Sequence, residues 1–150
     1  MNLLSFIRKP NIVRCYPYCL GLNYDRQVGI KQEQWEKNDI NLIADLMIKD
    51  LEKLKIDSKI VDEKYIPSTN ENLLALRAGL MWLHDDCYYY SDYHVIVKRQ
   101  DGYWYSKFGQ LPPEKLPLGT DVQSWNWRDS NNRVKENHYN SKIVYITVQF

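Results

Sequence analysis

One stretch constrains this chain more than any other. Tyr93-His94-Val95-Ile96-Val97-Lys98-Arg99 runs into Gln100-Asp101-Gly102 and on to Tyr103-Trp104-Tyr105. β-branched residues flanked by tyrosine favour an extended backbone. Asp-Gly supplies residues that tolerate the positive φ of a tight turn. A β-hairpin with Tyr93–Arg99 as its first arm is therefore expected. Ser141–Phe150 adds a second strong strand, in which Ile143, Tyr145, Thr147 and Gln149 alternate with Val144, Ile146 and Val148. Both faces are apolar enough for a strand covered on two sides.

The helical signal lies earlier. From about Asn38 to about Lys55, Leu42, Ile43, Leu46, Met47, Leu51 and Leu54 recur at helical spacing, with Asp45, Lys49, Asp50, Glu52 and Lys53 opposite. Asn38 suits the N-cap and Asp39 the first turn. Cys15–Leu22 reads as a shorter helix opening near Cys15, with Pro17 tolerated in its first turn and Gly21 or Gly29 as its end. Ser58–Ile66 is expected to be extended, closing at Pro67. Asn72–Leu83 fits strand and helix periods alike, and Gly79 with the short length favours a strand. Leu111–Gly119 carries Pro112, Pro113 and Pro117 and reads as loop, and Asp121–Asn140 as polar and irregular. Helices followed by a mostly antiparallel sheet make an α+β layout. The 150 residues suit a single domain, 1–150, around one core.

Composition excludes some partners. Twenty basic against nineteen acidic residues leave a net charge of +1, which gives no reason to expect nucleic acid or an anionic membrane. No stretch approaches the roughly 20 apolar residues of a membrane helix. Arg8 and Lys9 cut off the cluster Leu3-Leu4-Ser5-Phe6-Ile7 before it reaches the length of a signal-peptide core. The expectation is a cytoplasmic protein, or one exported without an N-terminal signal peptide. Three cysteines, few and odd in number, suit reduced thiols better than a disulfide scaffold. There is no phosphate-cradling glycine loop, no G-x-S-x-G and no H-E-x-x-H, so no cofactor is expected.

Two residues stand out as chemistry. A thiol becomes a strong nucleophile as the thiolate, and a helix N-terminus favours that form. Cys15 opens a helix, and Arg14 beside it could add positive charge. His94, at the start of the strongest strand, could take the thiol's proton and return it to a leaving group. Each has a competing structural reading: Cys15 as a small buried hydrophobe, His94 as a satisfied histidine in a tyrosine-rich sheet. His84 and His138 are weaker candidates. Zinc held by Cys15, Cys19, Cys87 and a histidine is a third reading, but C-x3-C matches structural zinc spacing loosely and no second pair follows, so no metal site is assigned. Tyr88-Tyr89-Tyr90 and the pair Trp125/Trp127 are aromatic groups suited to a peptide substrate or a protein partner. Trp104 and Tyr145 read as core.

Arg14-Cys15-Tyr16-Pro17-Tyr18-Cys19-Leu20-Gly21 resembles the N-C-Y-x-Y-A-L-G opening of a group of small bacterial proteins. Asp92–Gly109 resembles that group's D-Y-H-x-Y-R-Q-D-x-x-G-x-W-S-H-K-P-G hairpin. The layout is similar to papain-like cysteine peptidases of the cell-wall-cleaving kind. The resemblance implies a papain-like fold, N-terminal helices packed on a mostly antiparallel sheet. It implies Cys15 as nucleophile, His94 as base, and a third polar residue orienting the histidine. Where the group has S-H-K-P-G, this chain has Tyr105-Ser106-Lys107-Phe108-Gly109, so Ser106 replaces a histidine. Ser106, Gln110 or Asp121 is then the candidate orienter. Tyr16, Tyr93, Trp104 and Trp125 are the expected substrate contacts.

Two functions follow as expectations. One is a thiol hydrolase or acyl transferase acting on an amide in a peptide, a peptidoglycan stem or a glutamine side chain. The other is a catalytically weak or inactive papain-like scaffold that binds a protein partner, as a module or effector.

Overall fold

The computed structural model describes residues 14–30, 39–83, 88–109, 111–127, 134–137 and 139–149, with the backbone alone at 80–83, 88–91 and 134–137. Among the described residues two helices, α1 (Cys15–Cys19) and α2 (Ile40–Lys53), precede seven strands: β1 (Asp57–Val61), β2 (Glu71–Leu83), β3 (Tyr88–Lys98), β4 (Trp104–Ser106), β5 (Glu114–Lys115), β6 (Val134–Asn137) and β7 (Val144–Gln149). The α+β layout is as expected. No helix among the described residues is long and apolar enough to cross a membrane.

Every strand pair is antiparallel. The order is β1-β7-β2-β3-β4-β5, with β6 also on β2. β7 lies between β1 and β2, the two-sided position its apolar faces call for. β2 pairs with β3 from Leu73 to Leu83. Its other edge takes β7 at Glu71–Leu76 and β6 at Met81–Leu83. Ser141 fills the gap between those two partners. It donates its N–H to the Ala78 carbonyl, and its hydroxyl accepts from the Ala78 N–H, both at 2.9 Å.

Four expectations are corrected, the first by β5, which pairs with β4 inside the stretch Leu111–Gly119 read as loop. The N-cap of α2 is Asp39, whose Oδ1 accepts from the Asn41 and Leu42 N–H groups at 2.9 and 3.5 Å. β6 lies inside the stretch read as irregular, because β2 is long enough to offer an edge beyond the end of β7. β3 begins five residues before Tyr93, so His94 sits in mid-strand, with Arg77 of β2 directly opposite. The turn itself is as expected: Gly102 takes φ +85 and donates to the Arg99 carbonyl at 2.9 Å. α1 ends on Gly21 at φ +72, with Leu22 N–H reaching back to the Pro17 carbonyl at 3.0 Å.

Both faces of the sheet are covered, by different material. On the first, α1 and α2 pack on Leu74, Leu76 and Ala78 of β2, Tyr93, Val95 and Val97 of β3, and Val144, Ile146 and Val148 of β7. On the second, Leu73, Ala75, Ile96, Trp104 and Tyr145 meet Leu116, Val122, Trp127 and Tyr139 from the connecting segments. Period-2 alternation divides β3 between the layers. This division decides where the site residues stand.

Candidate functional site

Cys15 belongs to the helix-side layer. Its thiol is buried against β3, beside Tyr93 and Val95. Burial pushes its pKa up to about 12. Backbone hydrogen bonds from Val95 and Tyr16 favour the thiolate, but desolvation outweighs them, and the Asp92 carboxylate adds to the rise. The five-residue α1 aligns few peptide dipoles. Arg14 is engaged elsewhere. Its Nη2 and Nε reach Asp25 Oδ2 at 2.8 and 3.0 Å, and its charge lowers the thiol pKa less than desolvation raises it. Cys19 is buried one turn on and donates to the Val95 carbonyl at 3.5 Å.

His94 belongs to the other layer, 2% exposed. Its ring stacks on Phe108, centroids 4.0 Å apart and planes 10° apart. Tyr139 lies at 5.3 Å, Trp127 edge-on at 6.0 Å and Trp125 at 6.5 Å. Nε2 is 3.0 Å from the Ser106 hydroxyl. Ser106 can donate to a neutral Nε2 or accept from Nε2–H, so the Nε2 end is satisfied in either tautomer. Burial in this aromatic box lowers the pKa of His94 to about 3, which keeps the imidazole neutral.

The structure brings His94 and Ser106 together and does not bring His94 to Cys15. Because Tyr93 and Val95 face α1, the residue between them faces away. The two side chains therefore lie on opposite faces of the sheet. Gln110, like His84, Cys87 and His138, lies outside the described residues. Asp121 is at the surface, its carboxylate accepting from the Gln123 N–H at 3.0 Å and from the Ser124 hydroxyl at 3.2 Å.

Most of the expected substrate contacts are interior. Tyr16 is fully buried, and Tyr93 and Trp104 nearly so. Trp104 and Tyr145 are core, as expected. Trp127 is core too, with its indole N–H donated to the Val122 carbonyl at 2.8 Å. Trp125 is half-buried and stacks with Phe108 at 6.0 Å. Tyr88–Tyr90 supply backbone to β3, and their side chains lie outside the description.

Several neighbours carry no motif in the sequence. Asp50, read there as part of the polar face of α2, is 7% exposed. It accepts from the Tyr16 hydroxyl at 2.7 Å and from Arg26 Nε and Nη2 at 2.9 and 2.6 Å. This knot ties α1 and the loop after it to α2. Lys107 is buried on the helix side of β4 and donates to the Gly109 carbonyl at 2.6 Å. Phe108 and Ser106 both touch His94.

Comparison with known proteins found no matching family model, no matching curated protein and no matching solved structure.

Proposed function

We propose that this chain is a papain-like scaffold that acts by binding a protein partner, without Cys–His catalysis. The observation that carries the reading is the closure of His94: hydrogen-bonded to Ser106, stacked under Phe108, and turned away from Cys15. A general base must reach the proton it removes, and this imidazole faces the aromatic layer instead. The thiol is no better prepared. With a pKa near 12 it holds about one part in 10⁵ as thiolate at neutral pH. Of the three departures from S-H-K-P-G, at Tyr105, Ser106 and Phe108, two fall on His94, Ser106 supplying its hydrogen bond and Phe108 its stacking partner.

Trp125 is the proposed contact residue. It reaches the surface from the aromatic cluster, and a half-buried indole held by stacking offers contact area at low entropic cost. The test is capture of a partner by the purified protein, alongside two variants. Cys15→Ala should retain capture and Trp125→Ala should lose it. The opposite pattern would reject the reading.

The thiol hydrolase or acyl transferase remains a second reading on one observation. Cys15 opens α1, and its sulfur takes hydrogen bonds from the backbone of Val95 and Tyr16. It predicts alkylation of the folded protein faster than that of an ordinary free thiol.

A further inference from the structure

We propose that the sheet carries, where β1 and β2 start and β7 ends, a receptor for a primary alkylammonium group, with Asp57, Glu71 and Thr147 as its acceptors. Strand register builds it. Gln149 pairs with Asp57 on one side and Glu71 on the other, and Thr147 pairs with Lys59 in the next row of the same face. Tyr145 belongs to the second layer, and side chains alternate along β7, so Thr147 and Gln149 point to that face too. Neighbouring strands lie about 5 Å apart, which sets the Asp57 and Glu71 backbones about 10 Å apart across Gln149. The space between them is a cavity of about 390 Å³, closed on one side by Tyr65 and Ser68 from the β1–β2 connection.

The floor of this cavity calls for an explanation. Thr147 is 2% exposed, and its hydroxyl makes no hydrogen bond to any described residue. A buried hydroxyl without a partner is uncommon. The sealed, unpartnered side-chain atoms among the described residues are Gln27 Nε2 and Arg99 Nε, so the Thr147 oxygen keeps an opening, and on this face the opening is the cavity. The walls supply charge. Glu71 Oε1 accepts from the Ser68 N–H at 2.9 Å and from the Tyr65 hydroxyl at 2.8 Å, which fixes the carboxylate and leaves Oε2 without a partner among the described residues. Those bonds pull the Glu71 pKa down to about 2, so the group stays ionised. The Asp57 carboxylate has no hydrogen bond or ion pair to any described residue.

The lining selects the ligand. Asp57 and Glu71 against Lys59 leave one negative charge, which a monocation neutralises. Lys59 is drawn aside: its Nζ lies 4.9 Å from the centre of the Tyr65 ring and forms no ion pair among the described residues. Three acceptors reach the space from three strands, two carboxylates from the sides and a hydroxyl from the floor. The tetrahedral donors of an ammonium meet such a set, whereas a guanidinium wants its acceptors in one plane. A metal ion is less suited, because no group of three or more His, Cys, Asp or Glu side chains among the described residues is placed to hold one. A lysine side chain in a peptide and a free aliphatic diamine share the ammonium chemistry. The site uses neither Cys15 nor Trp125, so it can fail or hold independently of the reading above.

The experiment titrates Nα-acetyl-lysine methylamide and diaminobutane separately into the isotope-labelled full chain and follows amide shifts. Saturable changes at 57–59, 68–71 and 147–149 are expected with at least one of them, and the tighter binder identifies the source. Trimethylating the lysine amine keeps its charge, removes its donors and should weaken binding about tenfold. Thr147→Val keeps the side-chain shape and removes the hydroxyl, and should weaken binding severalfold. Asp57→Asn should do the same at an exposed position, which guards against a folding defect at Thr147. Lys59→Met removes a competing cation and should strengthen binding. Silence from both amines, shifts centred elsewhere, equal binding of the trimethylated compound, or weaker binding by Lys59→Met would each overturn the proposal.

Discussion

His94 Nε2 and the Ser106 hydroxyl stand 3.0 Å apart in a layer of aromatic rings. The bond spans β3 and β4 and satisfies a buried polar group on each. In this setting the serine stabilises a neutral imidazole, and among the described residues no carboxylate shifts the ring toward the cation that catalysis would form.

Ser106→Ala should therefore cost stability. It leaves the imidazole nitrogen buried and unpaired, for which a loss of about 1–3 kcal/mol is expected. Urea denaturation measures it. An unchanged midpoint would mean that the bond contributes nothing.

Acid should unfold the protein through His94. Its folded pKa of about 3 lies below the ordinary 6.5, so the unfolded chain binds the proton more readily. The stability of the neutral ring is fully present above pH 6.5. It is lost as pH falls toward 3, at up to about 1.4 kcal/mol per unit. For Asp50 burial alone would raise the pKa, but bonds from Arg26 and Tyr16 lower it. Its contribution therefore disappears at lower pH, below about 3.8. Denaturation midpoints between pH 7 and 4.5 should fall in the native chain and fall less steeply in His94→Gln. Equal slopes would count against the assignment.

Alkylation should report the state of Cys15. Iodoacetamide should label it far more slowly in the folded chain than in urea, and the folded rate should still be rising with pH at pH 10. Mass spectrometry of the peptide containing Cys15 provides the readout. Rapid labelling at pH 7 that His94→Ala abolishes would restore the hydrolase reading.

The Tyr16–Asp50–Arg26 knot should matter more than any surface pair. Asp50→Ala leaves the buried Tyr16 hydroxyl without its acceptor while Arg26 stays in reach of solvent, and should cost about 1–3 kcal/mol. Tyr16→Phe removes one bond and should cost about 1–2 kcal/mol. The double variant should cost less than the sum, because the two residues share that bond. Thermal and urea unfolding test all three, and strict additivity would contradict the coupling.

Much of the framework was legible because periodicity reports burial. The apolar stripe marked α2, and the double-faced alternation of Val144–Gln149 marked a covered strand. The phase of β3 was not legible. Tyr93, His94, Val95, Ile96 and Val97 suit either face, and which of them meet α1 depends on partners far away in sequence. That single ambiguity separates a Cys–His pair from two unrelated side chains. Asp50 was misread for a similar reason, since its partners come from α1 and the loop after it. Phe108 carried no signal of its own, because stacking on His94 exists only once β4 has turned back.

β7 has one further consequence, which concerns the order of events during synthesis. Among the described residues β1 meets the sheet through β7 alone: Asp57 pairs with Gln149 and Val61 with Tyr145. A ribosome releases β1 long before its partner exists. β2 must likewise wait with one edge bare, although its pairing with β3 can form early. Closing the β1–β7 loop is the slow, late step that such long-range contacts impose. Until then a nascent chain displays two open strand edges, which makes it a natural client for chaperones that shield unpaired strands.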